Sequence, residues 1–413
     1  MKRPIYLDYQ ATTPVDPRVL DVMLPFFRED FGNAASRTHA FGWRAEEAVE
    51  NARRETAELI GASAREIVFT SGATESNNLA ILGSVRRALA HAGSHAKHIH
   101  VITSSIEHHA VLDPFETLRK SGVEVTFLKP NATGRVEASQ VHEALTDHTA
   151  LVSIMAAHNE IGTIYPIAEI GALCHEKGVL FHTDAAQAVG KIPLDVRKSQ
   201  IDLLSLSGHK IYGPKGVGAL YVARRRPHIR LEPLVYGGGH ERGLRSGTVN
   251  VPGVVGLGAS CRIAAQEMEE ESFRLLRLRD RLHEGITERL DGVHLNGDPD
   301  RRLPGNLNLS FENVPGESLL VSLKGLAVSS GSACTSQVPE ASYVLRRIGV
   351  AERLAHSSLR FGLGRYTIGK DVDRAIDELV TTVKELRKLQ KSSAISTSER
   401  PDLQDSQVYN RQK

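Results

Sequence analysis

Only three of the 413 residues are cysteine, at 174, 261 and 334. An odd, widely spaced set of this kind does not read as a disulfide framework and suits a reducing compartment. No apolar run approaches the roughly 20 residues that a membrane-spanning helix needs. Charge of one sign is not in excess either: 51 Lys and Arg face 49 Asp and Glu, leaving +2. That balance gives no reason to expect nucleic acid or an anionic membrane as a direct partner. The opening M-K-R-P-I-Y-L-D-Y turns strand-like at once, which leaves no room for a secretory or organelle-targeting segment. The expectation is a cytoplasmic protein. With 41 % apolar and 24 % charged residues the composition is ordinary for a globular chain, long enough for one large domain and a smaller one.

Apolar strand-like runs alternate with amphipathic stretches over most of the length. Residues 66–70, 99–103, 123–128, 150–155, 178–182, 203–207 and 217–222 read as strands, and 46–60, 75–90 and 167–177 as helices. Such alternation predicts an α/β fold with a mostly parallel sheet covered on both faces. After about Gly258 the pattern changes to a long charged helix over 264–289, strands at 306–311 and 358–363, helices at 317–324 and 371–390, and a Gly/Ser loop at 329–336. The predicted division is therefore 1–260 as a large domain, 261–391 as a smaller α+β domain to which the N-terminal segment can contribute, and 392–413 as a disordered tail, poor in apolar residues.

Several segments carry groups suited to chemistry. S-G-H-K-I-Y-G-P-K-G at 207–216 puts Lys210 in a turn after a strand, where open α/β sheets bind ligands. A lone turn lysine is ordinarily solvated, but a partly desolvated amine there can form a Schiff base with a carbonyl cofactor. H-T-D-A-A-Q at 182–187 ends a strand on Asp184, which could cap a helix or pair with a protonated pyridine nitrogen. T-S-G-A-T-E-S-N-N at 70–78 joins a strand to a helix, and its start suits a phosphate as well as an ordinary cap. G-G-G-H-E-R-G-L-R-S-G-T at 237–248 is a flexible basic loop fit for phosphate or a subunit boundary. In V-S-S-G-S-A-C-T-S at 328–336, Cys334 sits in a small polar loop and is the reactive candidate, whereas Cys174 and Cys261 fall in helical patterns and read as packing thiols. His108 and His109 follow a strand near the same sheet edge. His91, His95, His98 and His100 lack nearby Cys or carboxylate ligands and read as solvated surface, not a metal site.

Taken together and in order, these segments resemble the cysteine desulfurases of the IscS/NifS group, pyridoxal 5'-phosphate (PLP) enzymes with the aspartate aminotransferase-like fold of the class-V aminotransferases. The resemblance also rests on L-D-Y-Q-A-T-T-P at 7–14, F-G-N-A-A-S at 31–36, N-E-I-G at 159–162 and H-S-S-L-R-F at 356–361, and runs to about residue 389. It implies that Lys210 holds PLP and shuttles a proton, and that Asp184 pairs with the pyridinium nitrogen. It further implies that Gln187 contacts the ring oxygen and that His108 stacks on the ring. Ala73, Thr74, Ser207, Gly208 and His209 would hold the phosphate or its surroundings, with Thr248 reaching a phosphate across a homodimer interface. Asn159 would orient ring and substrate, Asn33 and Arg360 would take the carboxylate of L-cysteine, and Cys334 would accept sulfur as a persulfide. The implied acceptors are an iron–sulfur scaffold or tRNA-thiolation proteins. No metal would belong to the chain itself, although Cys334 could contact a cluster on a bound scaffold.

The sequence departs from relatives at His158 and Ala186, where Asn and Thr are frequent, and in an ending that lacks an apolar-acidic docking segment. Rival readings are a selenocysteine or carbon–sulfur lyase using the same site, and a sulfur-carrier or scaffold subunit whose cofactor site has decayed. The last is disfavoured because Lys210, Asp184, His108 and Cys334 are all present. A nucleotide-binding Rossmann protein is disfavoured because no G-x-G-x-x-G follows the first strand.

Overall fold

A computed structural model describes residues 3–92, 99–225, 228–330 and 341–398. In chain order the strands are β1 (Ile5–Tyr6), β2 (Ile67–Thr70), β3 (His100–Ser104), β4 (Glu124–Leu128), β5 (Thr149–Ser153), β6 (Leu180–Asp184), β7 (Leu203–Ser207), β8 (Gly218–Val222), β9 (Val293–Leu295), β10 (Asn306–Phe311), β11 (Leu326–Ala327) and β12 (Ser358–Gly362). Seven of them form one sheet in the order β2-β8-β7-β6-β5-β3-β4. Strands β7, β6, β5, β3 and β4 pair in parallel, and only β8 runs against them, between β2 and β7. β2, β3, β7 and β8 are buried throughout their length, as a sheet covered on both faces requires. Most of the expected strands agree to within two residues at each end.

Two of the apolar clusters are the largest. The first fills the space beside the large sheet and includes Ile102, Val152, Phe181, Leu204, Leu206 and Tyr221. The second lies around β9, β10 and β12, with Leu307, Leu309, Phe311, Leu359 and Phe361. The N-terminal segment belongs with the second: β1 pairs with β11, and Leu7 is buried among its side chains.

One helix, Val251–Thr287, connects the two cores. Its 37 residues span about 55 Å. Val254, Leu257 and Cys261 pack in the first core, and Leu275, Leu282 and Ile286 in the second. The boundary expected at residue 260 thus falls inside a continuous helix, which starts well before residue 264. The glycines of V-P-G-V-V-G-L-G hid its first turns, because glycine is a poor helix former in isolation. Here the missing side chain is needed: a Cβ on Gly258 would come within 2.5 Å of Ala52 Cα on the helix Ala40–Leu59. Pro252 stands in the first turn, where its missing N–H costs nothing, and Asn250 caps the amide of Gly253.

The last helix, Gly369–Ser398, continues past residue 390 into the segment expected to lack structure. Burial of Val372, Ile376, Leu379 and Val383, worth about 1.5–3 kcal/mol each, offsets the ordering of the turns that carry them. Beyond that face, extension adds one hydrogen bond per residue fixed, so a stretch unable to start a helix can still prolong one. A second correction concerns His100. It is buried, not solvated, and its ring nitrogens lie 2.8 Å from the hydroxyls of Thr149 and Thr126. Among the described residues no group of three potential metal ligands occurs. Cys174 and Cys261 are buried as expected, and burial pushes both thiols up to about 12.

The N-terminal arm is fastened to both cores by Asp16. Its carboxylate accepts hydrogen bonds from the Arg18 side chain at 2.8 and 3.0 Å and from Arg365 at 2.7 Å. The Arg18 guanidinium, reinforced by Arg365 against the opposing effect of burial, holds this carboxyl well below the usual range. A depressed folded-state pKa stabilises the protein above the unfolded value of about 3.9 and loses that effect as pH falls through the folded value. Asp16→Asn is therefore expected to cost about 2 kcal/mol at pH 7. The gap to the parent should narrow below about pH 4. Urea midpoints measured across that range check this; a gap constant with pH would refute it.

Candidate functional site

Because β6 and β7 are parallel neighbours, their carboxyl ends open on the same side of the sheet. Asp184 is the last residue of β6 and sits opposite Ser205. β7 ends at Ser207, and a single 3-10 turn, Gly208–Lys210, carries the lysine just beyond it. The N-terminal arm crosses these strand ends. Lys210 Nζ donates to the carbonyls of Gln10 at 2.5 Å and Ala11 at 2.8 Å, and His209 Nδ1 lies 3.1 Å from Thr12 Oγ1.

Asp184 is held by two donors. Asn77 Nδ2 gives a hydrogen bond to Oδ2 at 2.7 Å, and the amide of Ala186 gives one to Oδ1 at 2.9 Å. Each carboxylate oxygen has a second acceptor position, so Oδ2 can still take an N–H from a ring. Asn77 lies on the first turns of the helix Ala73–Ala92, which follows β2. That helix reaches the site because β8 is short of bulk where it matters: Gly218 faces Thr70 on one side and Ser207 on the other. A Cβ on Gly218 would meet Gly72 Cα at 2.7 Å and the carbonyl of Leu206 at 2.5 Å. The first amides of a helix, here those of Ala73 and Thr74, have no carbonyl partner inside it, and a Cβ on the preceding Gly72 would lie 3.7 Å from Ser207 Oγ. Helix start, hydroxyl and glycine turn together make an anion cradle.

His108 caps the helix His109–Lys120, its Nδ1 accepting the amide of Ala110 at 3.0 Å. In the neutral ring the proton therefore resides on Nε2. Burial, only partly offset by Asp184 and reinforced by Lys210, lowers its pKa and favours that neutral form. Thr74 and His108 line one recess of about 370 Å³. Asn159 follows β5 and is half-buried; its carbonyl accepts from Arg360 at 3.2 Å. Arg360 is buried on β12, pairs with Asp8 at 2.7 Å, and keeps an Nε with no partner among the described residues. Gln187 Nε2 donates to the Gln10 carbonyl at 2.9 Å.

Not every expected residue converges. Asn33 is exposed, its Oδ1 accepting the amide of Ala35, and no described contact links it to Arg360. Thr248 is exposed on a loop that Glu241 fastens to Arg53 and to the amide of Phe69, and that Arg245 fastens to Glu75. Cys334 lies outside the described residues. Sequence reasoning missed Asp8, Gln10, Asn77, Glu107 and Lys191. The first three lie inside segments singled out above and could have been found there. Glu107 adjoins His108, is fully buried, and is raised well above the usual carboxyl range by that burial.

A lysine and a carboxylate on adjacent strand ends, a histidine between them in charge, and a helix start beyond form a set suited to an aromatic aldehyde bearing a phosphate. The comparisons agree. The model of the family described as Aminotransferase class-V matches residues 5–375. The chain belongs to the class-V aminotransferase family. It is 56 % identical to "Cysteine desulfurase IscS" of Anaeromyxobacter dehalogenans over 94 % of this chain and 95 % of that protein. A solved "NifS-like protein" superposes with a TM-score of 0.84 at 36 % identity, covering 93 % of this chain and all of the other. A structure described as SspA in complex with cysteine gives 0.77 at 40 % identity, covering 88 % and 99 %. Class-V aminotransferases of this group are PLP-dependent, and the fold is that of the PLP-dependent transferases.

The residues present fit PLP: Asp184 has an acceptor position to spare beside a buried donor, Lys210 is carried on the neighbouring strand end, and the backbone at Gly72, just before the Ala73–Ala92 helix, approaches β8 closely because Gly218 lacks a side chain. Asn77→Ala should strip Oδ2 of Asp184 of the Asn77 hydrogen bond and weaken PLP binding about 10-fold, with the fold retained. Cofactor titration of the variant checks this; parental affinity would refute it.

Proposed function

We propose that the chain takes sulfur from L-cysteine, leaving L-alanine, and carries it as a persulfide on Cys334 for delivery to acceptor proteins. The observation that carries this reading is the pairing of Lys210 and Asp184 on adjacent strand ends, in a chain so similar to proteins named cysteine desulfurase. PLP bound there supplies an electron sink for the substrate's Cα. Lys210 holds the cofactor and moves the proton at Cα. Asp184 would keep the ring nitrogen protonated, Gln187 would donate to the ring oxygen, and His108, with its proton on Nε2, would stack on the ring. Arg360 and Asn159 orient the substrate, the guanidinium matching a carboxylate in shape and charge.

The thiolate of Cys334 attacks the substrate sulfur. The new S–S bond forms as the Cβ–S bond breaks, and the electron pair left on carbon is protonated to give the methyl group of alanine. No outside oxidant is consumed. Both flanks of residues 331–340 support access to this site. Ser329 exchanges backbone hydrogen bonds with Arg360, at 2.7 and 3.4 Å, and Tyr343 donates to the carbonyl of Glu107 at 2.6 Å.

A homodimer belongs to the same reading. Leu20, Leu24, Phe27, Phe31, Phe41 and Trp43 form an exposed apolar set, with Phe31 66 % and Trp43 55 % accessible. Such a set suits burial by a second copy. Thr248, exposed beside the start of the Ala73–Ala92 helix through the Arg245–Glu75 pair, is suited to reach the neighbour's phosphate. The acceptors proposed are an iron–sulfur scaffold, tRNA-thiolation proteins or both, in the cytoplasm. No helix among the described residues is long and apolar enough to cross a membrane.

Lys210→Ala is expected to abolish alanine release, and Cys334→Ser to keep the cofactor's absorption while forming no persulfide. Labelled sulfur retained by the Cys334→Ser protein would assign the carrier to another cysteine. For the dimer, mixing Lys210→Ala with a Thr248→Val chain should restore activity at the hybrid site that carries neither lesion. A fully active monomer in ultracentrifugation would overturn shared sites.

A further inference from the structure

A hydrogen-bonded chain leads away from Lys210 to a second lysine. Lys210 Nζ donates to the carbonyl of Gln10 at 2.5 Å. Gln187 Nε2 donates to that same carbonyl at 2.9 Å, and Lys191 Nζ donates to Gln187 Oε1 at 2.7 Å. Gln187 is buried, and Lys191 and Lys210 line one enclosed cavity of about 30 Å³ between the two cores. The backbone at Lys191 is fixed independently, its carbonyl accepting from Ser272 Oγ at 2.8 Å.

The chemistry of both neighbours sets which way the Gln187 amide faces. A carboxamide is nearly symmetric in shape, so only its partners distinguish oxygen from nitrogen. Lys191 presents N–H groups and needs an acceptor; the Gln10 carbonyl needs a donor. The amide therefore turns Oε1 to Lys191 and its NH2 to the strand ends. One N–H goes to Gln10, and the second remains for a ring oxygen. Without Lys191, the buried Oε1 would lose the hydrogen bond from Nζ, a strong incentive for the side chain to rotate. Burial, with Lys210 and Arg360 adding to it and Glu271 opposing, pushes Lys191 down to about 7. Either protonation state donates an N–H, so the orientation survives its titration.

We propose that Lys191 is a positioning residue that locks the amide of Gln187 with its NH2 toward the cofactor's ring oxygen. The proposal rests on Gln187 facing the ring, and the test separates the two ideas. The absorption band and dissociation constant of PLP are measured for Gln187→Ala, Lys191→Met, Lys191→Arg and the double variant Gln187→Ala/Lys191→Met, together with thermal unfolding midpoints. Lys191→Met should displace the band and weaken PLP about 10-fold, as loss of one charge-assisted hydrogen bond does. Lys191→Arg, which restores a donor, should recover most of both. The double variant should match Gln187→Ala alone, because the two residues act through one contact. If Lys191→Met does not fold, the double variant, which removes the unpaired oxygen as well, should fold and still match Gln187→Ala. A parental band and affinity in Lys191→Met, or losses that multiply in the double variant, overturn the proposal. A parental band in Gln187→Ala overturns instead the placement of Gln187 at the ring.

Discussion

Parallel pairing of β6 with β7 is the constraint from which the site follows. Parallel strands carry their carboxyl ends to one side, and the ladder that sets Asp184 against Ser205 fixes how far Asp184 stands from the turn that bears Lys210. Neither side chain could be moved to the other side of the sheet without breaking that ladder. The single reversed strand, β8, completes the arrangement: lying between β7 and β2, it spaces the helix start at Ala73 from Ser207 by one strand, and glycine at 218 lets both close over it.

Upon this frame the N-terminal arm works as a strap. It adds β1 to the second core, pairs Asp8 with Arg360, crosses the strand ends with the carbonyls of Gln10 and Ala11, and is tied down by Asp16. Groups from both cores thus meet at one place although some 200 residues separate them in the chain, as the hydrogen bond from Arg360 to the carbonyl of Asn159 shows. The long helix Val251–Thr287 keeps the two cores in register by packing into each.

Electrostatics follow burial. His108 and His158 are driven toward the neutral form, His158 down to about 4 by complete burial, while Glu107 and Glu160 are driven toward the acid, Glu160 up to about 6. In each of these buried groups desolvation is the largest cause, and it disfavours the charged form.

By itself the sequence determined the α/β class and the succession of strands and helices, and it singled out Lys210, Asp184 and residues 73–74 as candidates for chemistry. These are local properties: apolar periodicity marks the elements, and turn residues mark where strand ends open. The same reasoning erred where a tertiary contact reversed a local preference. The helix expected from residue 264 begins at Val251, and Gly258 in its added turns allows close packing on Ala52. His100 read as surface, yet two threonines on neighbouring strands satisfy its ring. Only the tertiary structure decided that Asn77 holds Asp184, that Asp8 pairs with Arg360, and that Lys191 reaches Gln187. Partners such as Asp8 and Arg360 stand far apart in the chain, and no periodicity or motif spacing encodes which distant polar groups the packed cores will bring within hydrogen-bond distance.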